Sequence, residues 1–162
     1  MTSVVECNCI VRDLMEDLNS EIELEEFSKF KHATLYWVKS HPHVGLIEAT
    51  ASYIPIEQFK EVFHSMEGLV KEKKINKLIF DKRKLKVFHQ PSMEWYFVEW
   101  KERMADEGLV NHVKILPDDE VFCQSVKLGR EQINKKYPQA RFRQLSIQYA
   151  SSVEEGVNMV GI

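Results

Sequence analysis

Apolar positions along this chain recur with two periods, and from residue 30 onward the two alternate. Residues 33–39 (A-T-L-Y-W-V-K) are rich in β-branched and aromatic side chains and predict a strand. Ser40-His41-Pro42-His43 is turn chemistry, and residues 44–50 return as a second strand, giving a hairpin. Pro55 suits the first turn of a helix, where its missing N–H costs nothing. Ile56, Phe59, Phe63, Met66 and Val70 then form one apolar helical stripe, ending near Lys74. Residues 77–81 (K-L-I-F-D) read as a central strand covered on both faces.

After a loop over 82–90, Pro91-Ser92 opens a helix that runs to about Asp106, with Ser92 as its N-cap. Met93, Phe97, Trp100 and Met104 form its stripe, flanked by Trp95, Tyr96 and Val98, and Gly108 stops it. Residues 112–116 predict another strand, and Pro117-Asp118-Asp119 starts a helix carrying Phe122, Val126, Gly129 and Ile133. Phe142, Leu145, Ile147 and Tyr149 give the last strand. Ser151 or Ser152, each three residues before a glutamate, makes a capping box for a short final helix through Val160. Before residue 30 the pattern is weaker. Ile10, Leu14 and Leu18 suggest an amphipathic helix, and Ile22 and Leu24 alternate with glutamates as a brief edge strand would.

The predicted order is β-β-α-β-α-β-α-β-α, an α/β domain whose mixed, mostly parallel sheet is covered by helices. It divides into an acidic extension over 1–29 and an α/β domain over 30–162. At 162 residues one such domain is long enough to bury a core without staples. No apolar run approaches the roughly 20 residues of a membrane-spanning helix, and no signal peptide is visible, so a cytoplasmic protein is expected. Three cysteines (Cys7, Cys9, Cys123) form no disulfide framework, and Cys7-Asn8-Cys9 has no second pair at zinc spacing. No cofactor is implied.

A net charge of −3 argues against nucleic acid as a partner. That charge is unevenly spread: residues 1–26 hold eight acids against Arg12, while residues 71–86 hold eight bases against Glu72 and Asp81. The two stretches are either solvated faces or an acidic arm lying over a basic region.

Three stretches carry a family resemblance: residues 78–85 (L-I-F-D-K-R-K-L), the aromatic helix around Trp95 and Trp100 ending in Gly108-Leu109, and Val121-Phe122-Cys123-Gln124-Ser125. With the element order, they make residues 30–160 resemble the bacterial STAS domains of anti-sigma-factor antagonists, in particular the SpoIIAA-like group. The resemblance implies docking and regulation more than a reaction. Those relatives carry a phosphorylated Asp-Ser pair after the third strand. Here the corresponding place is His89-Gln90, and nearby Ser92 follows Pro91, so the phosphoacceptor role is not carried over.

The candidate binding residues are Asp81, Arg83, Lys84, His89, Ser92, Trp95, Tyr96 and Trp100. Asp81 and Arg83 flank the carboxyl end of the central strand, where open α/β sheets bind ligands. Arg83, Lys84 and Lys86 suit an anion or small polar ligand, or Asp81 and Arg83 simply pair and close the loop. Asp81, His89 and Ser92 lack the spacing of a catalytic triad, and His41-x-His43 with His32 or His64 falls short of a designed metal site. An aromatic helix this apolar is partly core, and its remaining face suits a protein partner, a second subunit or an acyl chain. The expected function is a non-enzymatic STAS-like module docking a protein partner, including itself as a homodimer. The alternative is a small-molecule or lipid-binding domain with its pocket between the Asp81–Arg83 strand end and the Trp95–Trp100 helix.

Overall fold

The computed structural model describes residues 22–160. The expected helix over Ile10–Leu18, the Cys7/Cys9 pair and most of the acidic arm lie outside the described residues. Six strands form one sheet in sequential order: β1 (Leu24–Lys29), β2 (Ala33–Val38), β3 (Val44–Ala49), β4 (Lys77–Asp81), β5 (Asn111–Ile115) and β6 (Ser146–Tyr149). β1 and β2, and β2 and β3, pair antiparallel; β3 through β6 run parallel. The sheet is therefore mixed, with three parallel pairings, and the chain is an α/β fold.

Helix α1 (Ile56–Lys73) connects β3 to β4. Between β4 and β5, α2 (Gln90–Trp95) passes through a π-helical turn (Tyr96–Trp100) into α3 (Lys101–Ala105). Helix α4 (Glu120–Lys136) and a 3₁₀ turn (Arg141–Gln144) lead to β6, and α5 (Val153–Asn158) follows it. Each parallel strand adds beside the last in one direction, so right-handed crossovers lay α1, α2–α3 and α4 on one face. The cores show this division. Leu78 and Phe80 of β4 pack with Phe63, Trp100 and Phe122, whereas Ile79 packs with Val113, Ile115, Val153 and Val157 under α5. Among the described residues no helix is long and apolar enough to cross a membrane.

Local chemistry accounts for the ends of the elements. Asp119 accepts a hydrogen bond from Phe122 N–H (3.1 Å) and caps α4. Ser152 Oγ accepts from Glu155 N–H (3.1 Å), so Ser152 is the capping serine, and the Glu155 carboxylate reaches back to Ser151 N–H. Gly108 adopts φ +93°, the left-handed conformation that ends α3 at no side-chain cost. At the other end of α5, buried Lys77 donates to the carbonyls of Gly156, Val157 and Met159.

Two expected elements differ. Phe142 lies in the 3₁₀ turn, not in a strand; it is buried against Phe97 (centroids 5.4 Å), and β6 begins only at Ser146. Ser92 is the third residue of α2 and not its N-cap. Proline tolerates the first helical turn because it needs no N–H there, so the helix starts before Pro91, and His89 occupies the cap position with extended backbone.

Candidate functional site

Alternation along β4 decides what faces what. Leu78 and Phe80 point to the helical face, Ile79 and Asp81 to the α5 face. Asp81 is 4% exposed and is held by Arg83: guanidinium Nε donates to one carboxylate oxygen (3.0 Å), Nη2 to the other (2.7 Å), and the Arg83 N–H adds a third bond (3.1 Å). These charge-assisted bonds raise the Arg83 pKa. The two residues thus form a closed fork on the opposite side of the sheet from the aromatic helix, and neither lines the cavity between the end of β4 and α2. Lys84 is exposed on the following loop.

The residue between the pair faces the other way. Lys82 lines a cavity bounded by the end of β4, the 82–90 loop and α2. Phe59, Phe80, Tyr96 and Phe122 supply its apolar walls, and half-exposed Tyr53 and Val87 form the rim. Its volume is about 50 Å³, room for about one or two waters at roughly 30 Å³ each, and it opens to solvent past Tyr53 and Val87. Lys82 Nζ lies 5.0 Å from the Phe80 ring centroid. Among the described residues its amine has no hydrogen-bonding or ion-pair partner. Desolvation pushes its pKa down to about 8.

His89 and Ser92 do meet, on the same cavity wall: His89 Nδ1 lies 2.8 Å from Ser92 Oγ. The helical turn between positions 89 and 92 brings them together. Asp81 is not the third member of this pair, because it faces the other side of the sheet and is bonded to Arg83. Tyr53 packs edge-on to His89 (centroids 6.1 Å).

The aromatic helix turns inward. Trp95, Tyr96, Phe97 and Trp100 are all buried, and Trp100 Nε1 donates to the Phe63 carbonyl of α1 (3.1 Å). The π turn, with its wider spiral, lets Tyr96, Phe97 and Trp100 all pack inward. Trp95 and Trp100 therefore pack into the core; of Trp95, Tyr96 and Trp100, Tyr96 also lines the cavity.

Behind Tyr96 lies a cluster that the sequence reading did not single out. Lys101 (α3) and Lys114 (β5) are 0% and 3% exposed, and among the described residues neither amine has a hydrogen-bond partner. Lys114 Nζ sits 3.8 Å from the Tyr96 centroid, and Lys101 Nζ 3.6 Å from that of Phe97. His112 is fully buried; its Nδ1 bonds Tyr96 Oη (2.9 Å) while Nε2 has no partner among the described residues. Burial first, and then mutual repulsion among the cations, holds the pKa values of Lys101, Lys114 and His112 well below their ordinary ranges. Burial raises that of Tyr96. For Lys101 the signal was present, since it stands between Phe97 and Met104 on the apolar stripe; Lys114 sits between Val113 and Ile115 in a strand whose inner position only the sheet order reveals.

The remaining candidates scatter. His41 meets Ser40 Oγ (3.0 Å), His43 the Lys74 carbonyl (3.3 Å), and His64 lies against Trp95 (5.5 Å). Among the described residues no three His, Cys, Asp or Glu side chains gather as metal ligands. Compared with known proteins, the chain matches no family model, no curated protein and no solved structure with significance.

Proposed function

We propose that this chain is a small-molecule-binding α/β domain of STAS-like kind, whose ligand occupies the cavity between the end of β4 and α2. One observation carries the reading. A single half-open cavity combines aromatic walls, one ammonium group without a partner among the described residues (Lys82) and a hydroxyl–imidazole pair (Ser92–His89). That combination suits a short apolar body with one polar end. The space also lies beyond the carboxyl end of a parallel strand, the usual ligand position in open α/β sheets. The STAS-like kinship is supported by the element order from β2 to α5 and by the residues of the 78–85 stretch. Of the two expected functions, ligand binding is favoured over partner docking, because the aromatic side chains that were to form the docking face are buried.

The test is an amide-shift titration of the full chain with a short alcohol such as 1-butanol. Shifts confined to Tyr53, Val87, Phe88 and His89, abolished by Val87→Trp at the rim, are the expected result. Absence of any shift at these residues would overturn the reading.

A further inference from the structure

We propose that Lys82 is a nucleophilic amine that captures short, apolar aldehydes or ketones as an imine inside this cavity. This rests on the ligand-binding reading above and adds a covalent step to it.

The geometry isolates one amine for the purpose. Lys82 Nζ lines the cavity, lies over an aromatic ring and, among the described residues, has no carboxylate or carbonyl to hold it. The carboxylate nearest in sequence, Asp81, faces the other side of the sheet and is neutralised by Arg83. Lys101 and Lys114, the other two amines of the region, do not line the cavity.

An anion is less well served than a carbonyl. The cavity offers one ammonium, and the Ser92 hydroxyl is already engaged with His89. An apolar site instead favours the free amine, the form that attacks carbonyl carbon. With its pKa near 8, about a tenth of Lys82 is uncharged at pH 7, against fewer than about one in a thousand for an exposed lysine.

The step balances without a further reactant. The amine lone pair attacks the carbonyl carbon, a C–N bond forms, and the carbonyl π pair moves to oxygen. Oxygen takes up the proton that nitrogen gives up, giving a carbinolamine. The nitrogen lone pair then expels the hydroxyl as water, using one proton added to that oxygen and one lost from nitrogen. Amine plus carbonyl gives imine plus water. The His89–Ser92 pair lines the same cavity and supplies a carrier for those protons.

The experiment exposes the full chain briefly to butanal and cyanoborohydride at pH 7 and maps the butylated peptides. Labelling of Lys82 roughly tenfold or more faster than exposed lysines such as Lys84 is expected, with a rate that rises through a midpoint near pH 8. Lys82→Met removes that label. Should this variant fail to fold, Lys82→Arg serves, since it keeps the charge but cannot condense. Labelling spread evenly over lysines, or absent from Lys82, overturns the proposal. The 1-butanol titration separates the two failures. Cavity shifts without Lys82 labelling sink the imine and leave the binding reading standing, whereas neither shifts nor labelling sinks both.

Discussion

Replacing Lys101 or Lys114 with methionine stabilises the protein and flattens the dependence of its stability on pH. Both amines are buried without a partner among the described residues, and burial, reinforced by the neighbouring cations, holds both pKa values well below that of an ordinary lysine. In the unfolded chain each stays protonated up to about pH 10.4. Between its folded and unfolded pKa values, each lysine binds one more proton unfolded than folded. Stability therefore rises with pH across that window, by at most about 1.4 kcal/mol per pH unit per lysine. Methionine keeps the length of the stem and deletes the amine. Exchanging buried ionic groups for apolar ones of like volume is worth up to about 1–4 kcal/mol, and that gain is expected at pH 7. Urea unfolding of the wild type and both variants at pH 7, 8 and 9 reads the gain and the slope together. Measurements stop short of pH 10 because buried Tyr96, with its raised pKa, acts in the opposite sense there. A wild-type stability flat over this range, with both variants less stable, would refute the reasoning, since it would mean the amines are charged and compensated in the fold.

Asp81→Ala breaks the fork with Arg83, at a cost of about 1–3 kcal/mol in urea unfolding, yet leaves the 1-butanol titration unchanged because Asp81 lies on the far side of the sheet. Loss of butanol shifts in that variant would contradict the assignment of faces. Gly129→Ala places a Cβ 2.2 Å from Gln90 Oε1 and 2.9 Å from Phe88 Cζ; a loss of about 1–3 kcal/mol is expected, partly restored by adding Gln90→Ala, which removes the closer clash but not the ring. Ser152→Ala frees the Glu155 N–H at the start of α5 and costs about 1 kcal/mol, measured as faster amide exchange in that helix.

The element boundaries were legible because period and punctuation agreed. β4 occupies the residues its apolar run predicted, and α1 ends one residue before the expected Lys74. The misplacements came where a local signal had two readings. Ser92 after Pro91 looks like a cap, but proline's tolerance of the first turn let the helix start earlier. Phe142 is an apolar residue just ahead of the alternating Leu145, Ile147 and Tyr149, yet it is out of phase with them, and its burial beside Phe97 is satisfied in a 3₁₀ turn. The inward-facing Lys114 was hidden for another reason. A lysine at Lys114 is harmless on an edge strand and buried on an inner one, and strand order is not written in the period of a single segment. β5 lies between β4 and β6, with Val113 and Ile115 packed under α5 and His112 and Lys114 against Tyr96 of the aromatic helix.

The same parity locates the site. In Phe80-Asp81-Lys82-Arg83 the eye falls on the acid and the guanidinium, whose pairing by one-residue separation is what an extended chain allows. Their pairing takes them out of play for a ligand, and it does so on the α5 face. Phe80 and Lys82 share the remaining parity, one as a wall of the cavity and the other as its only ammonium. If function at this strand end depends on a charged side chain, Lys82→Met should abolish it and Asp81→Ala should spare it. Inactivation by Asp81→Ala in a protein that remains folded would place the chemistry on the other face of the sheet.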